Sequence, residues 1–183
     1  MNKSLIAFVA TSLVSVSAMA GSVAVEIREG NLAKTAPDTT EWRVEAWDKV
    51  LGLDTGAELQ VKQVEHQGAL KSAVSAKVGK SFSVSKVSVL PYAEYGQRFT
   101  AGSDVGFYGV GAKASVALFD GVAVSAGYRH REAYNYVLLM NENRVNAGVS
   151  VNLSKKVAAG VGVYKTTGTT QETTFGVSLA RNF

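Results

Sequence analysis

Along most of this chain, apolar residues stand at every second position with polar or small residues between them. In the last twelve residues, ETTFGVSLARNF, the apolar Phe175, Val177 and Leu179 alternate with Thr174, Gly176, Ser178 and Ala180, and Phe183 closes the sequence. A two-residue period is that of a β-strand with unlike faces, because successive side chains point to opposite sides of the sheet. The period recurs near residues 22–28, 41–51, 56–65, 69–79, 86–99, 105–118, 122–131, 142–153, 157–165 and 172–183. Ten such segments predict an even-stranded sheet, each strand near the length that crosses a bilayer when tilted. Chain ends usually fray, so a strand pattern that persists to Phe183 predicts a last strand held on both edges, as a closed sheet would hold it.

The connections between these segments alternate in character. LGLDTG, KSFSVS, Phe119-Asp120-Gly121 and SKK read as brief turns, whereas NLAKTAPDTT, REAYNYVLLMN and TTGTTQ read as longer loops, with HQG and TAGSD as short members of the second set. Asp120-Gly121 between two apolar alternations is the strongest hairpin signal. Short turns at one end and longer loops at the other are the polarity of a transmembrane barrel.

One parity carries Val23, Val25, Ile27, Trp42, Val44, Val74, Val110, Val149, Val161 and their neighbours. The other carries Glu26, Arg28, Arg43, Glu45, Glu58, Lys62, Lys77, Glu94, Arg98, Lys113, Arg129, Arg131 and Arg144. A soluble sandwich would turn the apolar face inward. The even strand count and the start of the chain favour the inverse, with aliphatic side chains toward lipid and charges toward a lumen. MNKSLIAFVATSLVSVSAMA has a Lys, an apolar stretch from Leu5 to Val16 and Ala18-Met19-Ala20, the pattern of an export signal cleaved after Ala20. The expected division is therefore 1–20 signal peptide and 21–183 barrel. Trp42, Tyr95, Phe99, Tyr108 and Tyr128 fall toward the presumed outer strand ends, as an aromatic girdle would.

Composition changes the picture in two places. The chain has no Cys, so no disulfide framework holds an exported fold together. Its net charge of +4 does not imply nucleic acid, because export removes that partner and no basic run with interleaved aromatics occurs.

With these features the sequence resembles the small porin-like outer-membrane β-barrel proteins of Gram-negative bacteria, over the signal and the whole mature chain. The resemblance implies an all-β, single up-and-down antiparallel transmembrane β-barrel of about ten strands, with eight as the alternative count. It implies placement in the outer membrane among lipid and lipopolysaccharide. In that family the last strand, here Phe175, Val177, Leu179 and Phe183, is read by the barrel-assembly machinery. Arg181, at the third position from the end, departs from the family's apolar pattern there and weakens the assembly signal; near the interface it can snorkel.

Function is expected to lie in the charged interior. Arg98, Arg129, Arg131 and Arg144 share lumen parity and the outer thirds of their strands, which predicts a cationic sector near the outer mouth. Glu45, Glu58, Glu94, Lys62 and Lys113 stand as further lumen and selectivity candidates. The alternative is that these arginines pair with loop carboxylates such as Glu132 and Glu142. The first strands supply long inward side chains and the later ones mostly Gly, Ser and Ala, so large residues on one wall can lie across small ones on the other. Three function classes follow: a structural barrel or narrow channel for small polar or anionic solutes, a surface adhesin or phage-receptor barrel, and a rim-site enzyme. For the last, His66 and His130 with Asp104 and Glu132 are unspecific in spacing, and no catalytic residue is assigned. No Cys or His spacing suits a metal, and no cofactor is expected. GFYGVG lacks the Lys of a phosphate loop and reads as close approach inside a lumen.

Overall fold

The computed structural model describes residues 21–30, 39–64, 70–100, 102, 104–134 and 140–183. The segment expected to be a signal peptide, His66 and most of the expected longer loops lie outside the described residues.

The described chain is all strand and turn, with no helix. Its strands are β1 (Ser22–Glu29), β2 (Thr39–Val50), β3 (Leu53–Val64), β4 (Leu70–Gly79), β5 (Phe82–Val84), β6 (Val87–Phe99), β7 (Asp104–Phe119), β8 (Val122–Ala133), β9 (Asn141–Asn152), β10 (Val157–Gly168) and β11 (Glu172–Asn182). Consecutive strands pair antiparallel, except that β4 and β5 both pair with β6, and the pairings of β1 with β11 and β4 with β6 close the sheet on itself. The result is an up-and-down barrel of ten staves. At the seam, Phe183 N–H donates to the carbonyl of Gly21 at 3.0 Å.

The segments found from periodicity correspond to ten of these strands. The eleventh corrects the KSFSVS stretch, expected to be a turn. β5 keeps the register of β4 against β6, so the two are one stave interrupted at Lys80–Ser81. The interruption falls across from Pro91, which has no N–H to offer a ladder. One turn is tighter than expected: LGLDTG contracts to Leu51-Gly52, both with positive φ of 53° and 80°, the twist-compatible two-residue hairpin. Half of TTGTTQ is strand, leaving Thr169 to Gln171 between β10 and β11. The β-branched pair Thr166-Thr167 suits a ladder as well as a loop.

The two faces are inverted relative to a protein in water. Val74, Tyr95, Val110, Val149, Val161 and Leu179 point outward and are 43–61% exposed, while Arg28, Arg131, Glu58 and Lys77 point inward and are at most 4% exposed. Ionised groups are almost never buried unless paired, so the interior is a paired polar core. Twelve residues at ~3.3 Å each, tilted by about 40°, rise roughly 30 Å, the height of a bilayer's apolar band and its margins.

Candidate functional site

Because successive side chains of a strand alternate, each stave delivers an inward residue at every second position, and the ladder registers bring these into layers. Among the described residues, nine interior Lys or Arg side chains and seven interior Glu form ion pairs. Glu58 is the hub. It accepts from Arg43 at 2.6 Å, Lys77 at 2.5 Å, Arg129 at 3.0 Å and Arg131 at 3.1 Å. Beside it, Glu45 accepts from Arg43 at 3.0 Å, Lys77 at 2.6 Å and Lys113 at 2.7 Å. Arg131 also binds Glu94, donates to Gln60 Oε1 at 3.2 Å, and lies 4.6 Å over the Phe107 ring.

A second group sits toward the loop end. Arg28 donates to Glu26 at 2.5 Å and Glu41 at 2.8 Å, with its guanidinium 3.7 Å over the ring of Tyr164. Tyr164 in turn hydrogen-bonds Glu26. Arg144 donates to Thr166 Oγ1 at 3.0 Å and reaches Glu41 at 3.4 Å and Glu172 at 3.9 Å. Lys62 binds Glu172, and Arg98 forks onto Glu142 at 2.8 and 2.9 Å.

All nine lumen candidates named from the sequence face the interior, but they do not form an uncompensated cationic sector. Arg129 and Arg131 extend from β8 across the barrel to Glu58 on β3. Long guanidinium side chains on one wall meet carboxylates on the other, which strand parity alone does not show. Of the two loop carboxylates considered as partners, Glu142 takes Arg98, whereas Glu132 faces outward, accepting from the Tyr108 hydroxyl at 2.8 Å. His130 is outward too, with Nδ1 3.0 Å from Asn143 Oδ1 and Nε2 4.0 Å from Glu132. Interior residues not singled out from the sequence are Glu41, Trp47, Phe107 and Tyr164. For Glu41 and Trp47 parity was the available signal, since each stands two positions from a charged residue, Arg43 and Glu45; Phe107 and Tyr164 have only uncharged residues at that spacing.

Two cavities lie in the lumen among the described residues. The outer, about 200 Å³, opens at the loop end and is lined by Lys62, Lys71, Arg98 and Arg144 with Glu142 and Glu172, and by Gln60, Thr166 and Thr170. The other half of that mouth is filled by Phe107, Ala73, Ala133, Met140 and Val105. The inner cavity, about 210 Å³, is lined by Arg28, Arg43, Lys113, Arg129 and Arg144 with Glu26 and Glu45, and by Tyr92, Asn146, Tyr164, Ser125 and Ser178. Arg144 belongs to both walls. Below the inner cavity the lumen face of β7–β11 carries small residues such as Ser115, Ala117, Ala123, Ser150, Gly160 and Ala180, which leave that half thinly filled.

On the outer face, Trp42, Tyr95, Phe99, Tyr108 and Tyr128 stand in the outward parity of β2, β6, β7 and β8. Tyr134 joins them, with ring centroids 5.4 Å from Tyr95 and 5.3 Å from Tyr108. On β11, Phe175, Val177 and Leu179 also face out. The Arg181 guanidinium lies 4.9 Å over the Phe183 ring, a cation–π contact that gives this departure from an apolar pattern a local partner.

No protein-family model matches the chain, and no curated protein matches it either. Solved structures do. The β domain of the Bordetella autotransporter BrkA superposes with a TM-score of 0.55 at 13% identity, covering 88% of this chain and 98% of that one. A KdgM porin gives 0.50 at 11% identity, covering 88% and 99%. A loop-deletion mutant of OmpT, an outer-membrane protein of Vibrio cholerae, gives 0.46 at 12% identity, and the chain spans 62% of its length. The fold is that of the outer-membrane β-barrels.

Proposed function

We propose that the protein is a narrow, porin-like barrel of the bacterial outer membrane that passes small anions in preference to cations. The observation that carries this reading is the pair of cavities that share Arg144, each lined among the described residues by more cations than carboxylates: four to two outside and five to two inside. Arg keeps its charge at any working pH, and in a confined, poorly screened lumen an excess of positive charge raises the local concentration of anions. Rings of Arg and Lys are a general basis of anion selection. The apolar exterior and aromatic outer face support membrane placement, with export behind Ala20 and insertion by the barrel-assembly machinery as parts of the same proposal.

The ion pairs set the scale of the conductance. Ten staves enclose a lumen near the size that side chains fill, so flow is confined to the space beside the Glu58 layer and past Arg144. The test is single-channel recording in a planar bilayer under a salt gradient. A small steady conductance with a reversal potential on the anion side is expected. Silence would make the barrel a structural or adhesive one, and a reversal potential on the cation side would refute the selectivity.

A further inference from the structure

We infer that the inner cavity holds a binding site for a small oxyanion, a carboxylate or phosphate, on the wall made by β6, β7, β8 and β9. This deepens the pore reading and rests on it only for the anion's route into the lumen. The starting point is Arg129. Of the interior guanidiniums it is the least occupied: its one hydrogen bond among the described residues is Nη1 to Glu58 at 3.0 Å. A guanidinium carries five N–H donors. Trp47 Nε1 is the only fully enclosed side-chain nitrogen or oxygen without a partner among the described residues. The Nε and Nη2 donors of Arg129 are therefore unpartnered among the described residues without being fully enclosed, and the buried residue lines the inner cavity.

Three further donors adjoin it. Lys113 has Glu45 as its single carboxylate and, at 38% side-chain exposure, is the most open cation of the network. The side chains of Tyr92 and Asn146 line the same cavity and make no hydrogen bond to the described residues, so their hydroxyl and amide are available. The ladder sets them beside the two cations. Gly111 stands between Tyr92 and Arg129 in register, and Gly127 between Lys113 and Asn146. A Cβ at Gly111 would stand 2.5 Å from the Tyr92 hydroxyl, and one at Gly127 would stand 2.6 Å from Asn146 Oδ1. Both side chains thus lie flat across glycines, keeping the space in front of Arg129 and Lys113 clear. Two cations with free donors and two neutral donors around a cavity of about 210 Å³ suit an oxyanion that takes several hydrogen bonds at once. The carboxylates of this cavity, Glu26 and Glu45, are already held by Arg28, Arg43, Lys77 and Lys113.

The test is isothermal titration of inorganic phosphate, and of acetate in parallel, into the folded full-length barrel in a zwitterionic detergent at low ionic strength. Folding is verified beforehand by the gel mobility of unboiled sample. Saturable binding is expected, weakened by about tenfold or more in Arg129→Gln and in Lys113→Met, the scale of a lost charge-assisted hydrogen bond. Lys165→Gln, on the outer face, should bind as the parent does. Arg129→Lys keeps a charge for Glu58 but loses the fork, and should also weaken binding; it serves where Arg129→Gln does not fold. Absence of saturable heat, or equal binding in all variants, overturns the site. The readout does not depend on conduction. A silent barrel that binds phosphate would refute the pore and keep the site, whereas an anion-selective barrel that binds none would refute the site alone.

Discussion

Glu58 is 2% exposed and receives hydrogen bonds or ion pairs from Arg43, Lys77, Arg129 and Arg131. Arg43, Lys77 and Arg131 each keep a second carboxylate, but Arg129 has no other among the described residues. Removing the charge at Glu58 therefore leaves a buried guanidinium unpaired and like charges facing one another. Glu58→Gln should lower stability by about 3 kcal/mol, the cost of breaking a buried pair from one side. Arg98→Gln removes a single bidentate pair, leaves Glu142 with the Thr170 hydroxyl, and should cost less, about 1–2 kcal/mol. Urea titrations of barrels folded into lipid vesicles, followed by tryptophan fluorescence, give both values. Equal losses would mean that Glu58 is one pair among many rather than the hub. At this scale the sequence identified the charged residues and their side of the strand. It did not identify the aromatic groups that share that side, because Trp47, Phe107 and Tyr164 look in a sequence like residues for the lipid face.

A strand is the unit on which the facing argument stands, and β9 tests it most simply. Val149 and Ser150 are consecutive, and a strand must send them to opposite faces. Val149 pairs with Val124 and Val161 in the apolar outer surface, whereas Ser150 pairs with Ala123 and Gly160 over the thinly filled half of the lumen. The same substitution at the two sites should then differ: Val149→Arg by about 2–4 kcal/mol of lost stability in a bilayer, Ser150→Arg by under about 1 kcal/mol. Folding yield into vesicles measures this, and the reverse order would shift the register by one residue. All ten staves were legible because a period of two is independent of what lies across the sheet. The break between β4 and β5 was not, since its cause, Pro91, lies on the neighbouring stave, ten or more positions along the chain. Loop length at β10–β11 was misjudged for a different reason: Thr and Gly runs serve turns and β-branched ladders alike.

Across the whole molecule, function depends on which charges meet through the lumen, and those meetings join distant parts of the chain. Arg129 and Glu58 are 71 residues apart, Lys113 and Glu45 are 68, and Lys62 and Glu172 are 110. Parity placed each partner inside. The barrel's closure and stagger decided the pairing, which is why a cationic sector expected at the outer mouth proves to be partnered by carboxylates of other staves. What survives of that expectation is the excess of cations around each cavity, and Arg144 is where the two cavities join. Its contacts are the longest of the interior guanidiniums, 3.4 Å to Glu41 and 3.9 Å to Glu172, with Thr166 at 3.0 Å. Glu41 retains Arg28 and Glu172 retains Lys62 without it. Arg144→Ala should therefore leave the barrel folded, merge the two spaces and raise the unitary conductance. It also removes a cation from both linings, so the reversal potential should move toward the cation side in the same recording. The two changes together distinguish a gap opened in the conduction path from general loosening, which would raise current noise without a directed shift in selectivity. A conductance unchanged by Arg144→Ala would place the path elsewhere in the lumen and separate the two cavities from it.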